Sequence, residues 1–234
     1  GGRALLNGTL DNSAATLTPP SGGAFELFGG RVSGGTVASG ALSFTTSGGY
    51  LDNTTLTGTV GVPASAYANI NNATTVAGGT VTFGASSYFY LSGTNATLTL
   101  DATTTTSGDI RLYADNSAGT TLHNQGTITH TAATSGLLYA RNLTNSGSIT
   151  VSSNSLQVGT GTAGFTATNT AAGTMTATGS GSILYLDGTV DNNGTLTAAN
   201  SGQLRFRDTN VTANLGNIVL SGGGRALLNG TLDN

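Results

Sequence analysis

The chain begins and ends with the same twelve residues. The sequence GGRALLNGTLDN occupies Gly1–Asn12 and recurs without change at Gly223–Asn234, so the two copies are offset by 222 positions. Long sequence periods are typical of solenoids and arrays, in which each unit buries its core by stacking on its neighbours. The repeat therefore predicts that residues 1–234 are one 222-residue period of a longer tandem array, plus a twelve-residue overlap.

A second, shorter period lies inside the large one. Four segments share an apolar residue, an Asn, and then a Gly followed by Thr or Ser, an apolar residue and Thr; their glycines, Gly126, Gly147, Gly173 and Gly194, are spaced 21, 26 and 21 residues apart. Short stretches ahead of these motifs alternate apolar and polar residues, which favours half-buried strands over helices. Asn and Gly between the stretches predict tight turns, because both residue types tolerate positive φ.

These two periods together predict the fold. The expected class is all-β, a parallel β-helix (β-solenoid) with about ten coils of roughly 20–26 residues per 222-residue repeat, where a coil is one turn of the solenoid. Stacked inward residues would form apolar columns, such as the one made by Ile128, Ile149, Met175 and Leu196. Residues 1–234 are expected to form a single continuous solenoid, in which the less regular segment 61–93 makes longer coils or a lateral loop.

Composition narrows the class of protein. Charged residues make up 7% of the chain, against roughly 25% in an ordinary soluble domain. The net charge of −3 provides no basic surface for nucleic acid, and no apolar run approaches the roughly 20 residues that cross a membrane. The absence of Cys excludes disulfides and thiolate metal sites. We therefore expect neither a nucleic-acid partner nor a membrane span in this segment, and no cofactor.

Two polar patterns are candidate sites. Equivalent asparagines of successive coils predict either a row that binds a polar ligand or, as the favoured interpretation, a structural ladder of stacked amides: Asn124, Asn145, Asn169 and Asn192. A Thr-x-Thr pattern predicts a threonine face, formed by Thr127, Thr129, Thr150, Thr174, Thr176, Thr195 and Thr197 with Ser148, and by Thr55, Thr57, Thr97 and Thr99. Such a face would bind ice or glycans, or would simply be a solvent-facing strand surface. Its row is broken at Thr9/Asp11 and at Asn217/Val219.

The ionisable residues favour a non-catalytic protein. The ten acidic residues are scattered, whereas enzymes that act on polysaccharides need carboxylates grouped in a groove. If Leu184 stacks on Leu204, then Asp187 forms a surface ion pair with Arg207 and Tyr185 stacks with Arg205. The two histidines, His123 and His130, are expected to point outward from one coil, without the further ligands that a metal site needs.

The coil pattern "apolar-x-Asn-x-Gly-Thr-Leu-Thr" resembles the passenger regions of bacterial autotransporters and the shafts of filamentous-haemagglutinin-type adhesins. The resemblance covers most of residues 24–234 and implies a right-handed parallel β-helix, secretion to the bacterial exterior or cell surface, and a role as adhesin, stalk or filament. Shafts of this kind share no catalytic residues. The partners that we expect are identical repeat units stacked end to end, together with laterally associated fibres or surface glycans.

The repeated peptide also gives an expectation about the two ends of the segment. Since Arg3-Ala-Leu-Leu and Arg225-Ala-Leu-Leu are the same sequence in the same register, both are expected to adopt the same coil conformation. The coil at 225–234 would then stack on the coil that carries Leu204 and Phe206. The coil at 3–12 would stack on the equivalent coil of a preceding unit.

Overall fold

The chain is a parallel β-solenoid of about ten coils, as the sequence predicts. The computed structural model describes residues 3–114, 119–160, 164–211 and 215–232, and these residues contain strands, turns and no helix. Strands pair in parallel with the equivalent strands of neighbouring coils, except that the successive strands Leu42–Phe44 and Val60–Val62 do not pair. Parallel neighbours lie about 4.8 Å apart along the solenoid axis.

Each coil has three strand segments, so the solenoid has three sides. The first side consists of β1 (Ala4–Leu6), β4 (Phe25–Leu27), β7 (Leu42–Phe44), β9 (Val60–Val62), β11 (Gly79–Phe83), β14 (Thr104–Gly108), β17 (Thr127–His130), β20 (Ser148–Val151), β23 (Thr174–Thr178), β25 (Thr195–Ala199) and β27 (Asn217–Leu220). The second side includes β2 (Thr9–Asp11), β5 (Arg31–Ser33), β12 (Tyr88–Leu91), β15 (Arg111–Ala114), β18 (Gly136–Tyr139) and β21 (Ser155–Val158). The third side includes β3 (Thr16–Leu17), β6 (Thr36–Val37), β13 (Thr97–Leu100), β16 (Thr121–Asn124), β19 (Asn142–Asn145) and β22 (Thr166–Asn169).

Five longer strands cross the corner between the second and third sides. They are β8 (Tyr50–Thr57), β10 (Tyr67–Ala77), β24 (Ile183–Asn192), β26 (Gln203–Val211) and β28 (Arg225–Leu232). Their pairing register shifts where the strand bends, for example between Asp187 and Gly188. A register shift of this kind lets one strand follow two sides without losing its ladder on either.

The core is a set of continuous apolar columns. The predicted column of Ile128, Ile149, Met175 and Leu196 is confirmed, because these residues pair in register and are fully buried. On the second side, an equivalent column runs from Phe89 to Phe206 through Leu112, Leu138, Val158 and Leu186. Full burial of one such side chain stabilises the fold by about 1.5–3 kcal/mol. The short inward stretch of one coil therefore becomes a core only when coils stack.

The segment 61–93 lies within the stack. It contributes to β9, β10, β11 and β12; β9 pairs with the coil after it, and the other three pair with the coils before and after them. The cluster Tyr88-Phe89-Tyr90 alternates across β12, with Phe89 buried in the core and both tyrosines on the outer surface.

The two copies of the repeated peptide lie on different sides, and the first forms two strands where the second forms one, so the expectation of the same coil conformation is wrong. In the first copy, Ala4–Leu6 belong to the first side and pair with Phe25–Leu27. In the second copy, the same residues belong to the second side, where Ala226 and Leu228 pair with Leu204 and Phe206 as expected. An alternating strand fits any side of the solenoid, so its sequence alone does not select one.

Candidate functional site

Two rows of hydroxyl side chains cover the outer surface of the first side. Every predicted threonine from Thr127 to Thr197 lies in them and is exposed or half-buried. One row consists of Thr80, Thr105, Thr127, Ser148, Thr174, Thr195 and Asn217, and the other of Gly61, Thr82, Ser107, Thr129, Thr150, Thr176, Thr197 and Val219. The first side thus presents two parallel hydroxyl rows over six successive coils, from β11 to β25.

Four predicted members of this face lie elsewhere. Thr55, Thr57, Thr97 and Thr99 belong to β8 and β13 on the third side, and Thr9 and Asp11 belong to β2 on the second. The error arises because Thr-x-Thr alternation occurs on more than one side, and the pattern does not encode the side. In their place, Thr80, Thr82, Thr105 and Ser107 extend the first-side rows, and sequence reasoning missed them.

The third side carries a threonine row of its own. Its members are Thr16, Thr36, Thr55, Thr75, Thr99, Thr144 and Thr168, interrupted by His123 and continued by Asp191. Threonine is thus an outward residue on two sides of the solenoid, as expected of a residue with high β-propensity.

A ladder of buried asparagines lies where the third side ends and the next coil begins. Asn124 donates from Nδ2 to Oδ1 of Asn145 at 2.7 Å, Asn145 donates in the same way to Asn169 at 2.7 Å, and Asn169 to Asn192 at 2.7 Å. All four residues are fully buried. The amides also donate to backbone oxygens of the following turn, as Asn145 does to the carbonyl of Thr174 at 3.1 Å. Apart from Oδ1 of Asn124, which has no hydrogen-bond partner, these side chains satisfy one another and the turn, and all four are closed to an external ligand.

The glycines of the repeated motif stand at the same corner for a steric reason. A Cβ on Gly147 would lie 2.0 Å from the carbonyl oxygen of Gly126, and one on Gly194 would lie 2.2 Å from that of Gly173. The preference for glycine at these two positions does not come from a positive φ, since neither Gly147 nor Gly194 has one. The corner requires glycine because successive backbones approach each other more closely than a side chain allows.

All seven tyrosines lie on the outer surface of the second side. Tyr50, Tyr90, Tyr113 and Tyr139 share one row, and Tyr67, Tyr88 and Tyr185 lie in the adjacent row. Tyr67 and Tyr88 stack with ring centroids 4.9 Å apart, and Tyr113 contacts Tyr88, Tyr90 and Tyr139 at 5.3, 5.3 and 5.7 Å. Burial raises the pKa of Tyr113 above its usual value. Five of the seven tyrosines therefore form one cluster of contacting rings, and Tyr50 and Tyr185 contact arginines instead.

Charged partners continue the same side beyond the tyrosines. Arg207 binds Asp187 through both carboxylate oxygens, at 3.1 Å from Nε and 2.8 Å from the terminal nitrogen. The predicted pair therefore exists, but it is not a surface pair at both ends, because Asp187 is only 3% exposed. The guanidinium carbon of Arg207 lies 3.8 Å from the centroid of the Tyr185 ring, closer than that of the predicted Arg205 at 5.8 Å.

The two histidines differ in environment, which corrects the expectation that both point outward. His123 is half-buried on the outer row of the third side, whereas His130 is fully buried. His130 donates from Nε2 to the carbonyl of Thr134 at 2.8 Å, and its Nδ1 accepts from the amide of Ile110 at 3.3 Å. Burial lowers its pKa below the usual 6.5. Within the described ranges, no three His, Asp or Glu side chains converge as a metal site would require.

None of the described residues forms a helix that is long and apolar enough to cross a membrane. Comparison of the chain with protein-family models, with curated proteins and with solved structures finds no match.

Proposed function

We propose that the chain is a structural, non-catalytic repeat unit of a long extracellular bacterial fibre or adhesin shaft, and that identical units stack end to end. The observation that carries the proposal is the continuity of the coils. On the second and third sides parallel pairing runs from the first coil to the last, and one hydrophobic cluster extends from Leu27 to Phe206. A solenoid of this kind can be extended by any number of coils, since each further coil adds the same kind of ladder and core contacts.

The distribution of exposed apolar side chains supports end-to-end stacking. Apart from Tyr50, the large apolar side chains that are most exposed belong to the first two and the last coils: Leu5, Phe28, Val219, Leu220, Leu227 and Leu228, which are 39–52% exposed. Apolar surface left in water costs about 25 cal/mol for each Å². Leu220 and Leu228 continue the columns of the buried Ala198 and Phe206, so a neighbouring unit stacked on the last coil would cover them.

The outer surface supports a location outside the cell. The outward rows of its first and third sides consist mainly of the uncharged residues Thr, Ser and Asn, and the chain has no Cys. The interactions of an uncharged surface change little with salt concentration, and a chain without thiols needs no reducing environment. Laterally associated fibres or surface glycans remain our proposal for its partners.

The test compares one unit with two. A two-unit chain, in which Asn234 is followed directly by residues 13–234, should melt at a higher temperature than the single unit at matched, low concentration. The two-unit chain has the same number of end coils but twice the stacked core. Equal melting temperatures, with both chains monomeric in sedimentation, would show that each unit is self-sufficient and that the shaft proposal is wrong.

We propose as an alternative that the first side binds ice or glycans. The specific observation in its favour is the pair of in-register hydroxyl rows from β11 to β25. Thermal hysteresis or glycan binding by the single unit should then be lost in Thr129→Glu/Thr150→Glu, which places charge at the centre of one row. Thr55→Glu/Thr75→Glu, at adjacent positions of the third-side row, is the matched control, and equal loss in both variants would argue against a first-side site.

A further inference from the structure

The two copies of the repeated peptide are separated by ten coils and one additional side. Each side of the solenoid holds eleven strand segments. The first copy begins on the first side of the first coil. The second copy enters on the second side of the last coil. A 222-residue period is therefore not a whole number of coils.

Each copy shows a different half of the contacts that the peptide can make. The first copy pairs only with the coil after it, through Leu6 with Leu27 and Leu10 with Val32. The second copy pairs only with the coil before it, through Leu228 with Phe206.

These two sets of contacts are compatible in a single strand. A β-strand has two ladder edges, and the two copies use opposite ones. The inward residues are also the same: Ala4 and Leu6 alternate with the exposed Leu5 in the first copy, and Ala226 pairs with the buried Leu204 in the second. One peptide can thus lie between both neighbours without changing which residues face the core.

We propose that the next copy of this unit docks on the last coil with an offset of one side, so that the second side of one unit continues as the first side of the next. This inference rests on the proposed end-to-end shaft and specifies how its units meet. The ladder that pairs Leu204 with Ala226 would then continue to Phe25 of the next unit. The ladder that pairs Phe206 with Leu228 would continue to Leu27 of the next unit.

Charge at the end of the unit fits the offset. In the first copy, Arg3 forms an ion pair with Glu26 of the following coil, with Nε 2.8 Å from the carboxylate. Its equivalent, Arg225, is exposed on the last coil. With the offset, Glu26 of the next unit would lie in the same relation to Arg225 as Glu26 does to Arg3.

The offset determines how surfaces are distributed along a fibre. The tyrosines of the second side would continue into the threonine rows of the next unit, and the threonine-rich third side into its tyrosines. Because the solenoid has three sides, the pattern returns after three units. Every direction around the fibre would then present each type of surface in turn, and a partner specific for one side would bind once every three units along a given direction.

Cysteine pairs in the two-unit chain test the offset, and the chain has no Cys of its own to interfere. Leu227→Cys combined with Glu26→Cys in the second unit should cross-link, because the offset puts these outward residues on neighbouring strands about 4.8 Å apart. Asn229→Cys combined with Arg31→Cys in the second unit is the pair expected if equal sides are aligned. Arg205→Cys with Leu227→Cys is the control pair, since these residues already pair in one unit.

Peptide mapping of the oxidised chains by mass spectrometry distinguishes the outcomes. The offset predicts the 227–26 cross-link at the yield of the control pair and little of the 229–31 cross-link. The reverse result would overturn the offset while leaving the stacked shaft intact. Formation of the control cross-link alone would show that the two units do not stack, which contradicts both the offset and the proposed function.

Discussion

The first and second sides of the solenoid share one core but stabilise their outer edges differently. The first side is covered by separate hydroxyl rows and depends on a corner where buried asparagine amides join coil to coil. The second side has tyrosine rings in mutual contact, followed by the buried Asp187 and its arginine. The comparison shows that side-chain contacts between successive coils lie in different places on the two sides. On the first side they are the buried amides at its corner, and on the second side they are the rings and the ion pair of the outer surface.

The largest effect is expected from the asparagine ladder. Asn145→Ala removes the donor to Asn169 Oδ1 and to the carbonyl of Thr174, and it leaves a buried gap. Each buried polar group without a partner costs about 1–3 kcal/mol, so we expect a loss of about 3 kcal/mol in the free energy of unfolding. Urea denaturation measures it, with the exposed Asn193→Ala as a control that should change stability by less than about 0.5 kcal/mol. Similar losses in both variants would refute a structural role for the ladder.

On the second side, the decisive residue is Tyr113. Tyr113→Ala removes a ring that contacts three others, and we expect a loss of about 2 kcal/mol from aromatic contacts and burial. Tyr113→Phe keeps the ring and should retain most of that stability. If Tyr113→Phe is as destabilised as Tyr113→Ala, the hydroxyl and not the ring stack would be the stabilising group.

The corner between the first and second sides should respond to pH through His130. Its folded-state pKa lies below 6.5, so the unfolded chain binds a proton more readily as the pH falls through 6.5. Stability should therefore decrease as the pH falls from 6.5 to the folded-state pKa, by at most about 1.4 kcal/mol for each pH unit, and then level off.

Thermal melts of the native chain and of His130→Gln between pH 8 and pH 5 measure this contribution. The variant should lack that part of the pH dependence, whereas His123→Gln, on the outer row of the third side, should retain it. Parallel curves for the native chain and His130→Gln would show that His130 is not the group that titrates.

The smallest effect is expected on the outer surface of the first side. Thr150→Val keeps the β-branched shape and replaces a half-buried hydroxyl in the row between Thr129 and Thr176. We expect a change within about 0.5 kcal/mol in either direction, measured by urea denaturation beside Tyr113→Ala. A loss as large as that of Tyr113→Ala would show that the hydroxyl rows also join the coils, and the contrast between the two sides would disappear.

The parallel solenoid, the length of its coils and the residues of its columns could be predicted from the amino-acid pattern. These follow from local alternation and from the spacing of glycines, both of which are properties of the chain that need no partner. The column from Ile128 to Leu196 and the succession from Asn124 to Asn192 were predictable for this reason.

The side that each strand occupies could not be predicted in this way and is visible only in the folded chain. In the folded chain, Thr55 and Thr97 lie on the third side, all the tyrosines lie on the second side, and His130 is buried. Arg3 and Arg225 lie on different sides although the sequences around them are the same. The physical reason is that an alternating strand fits any side equally well. Its side is set by how many residues the preceding corners take up, and by which neighbouring coil is present to complete its ladder.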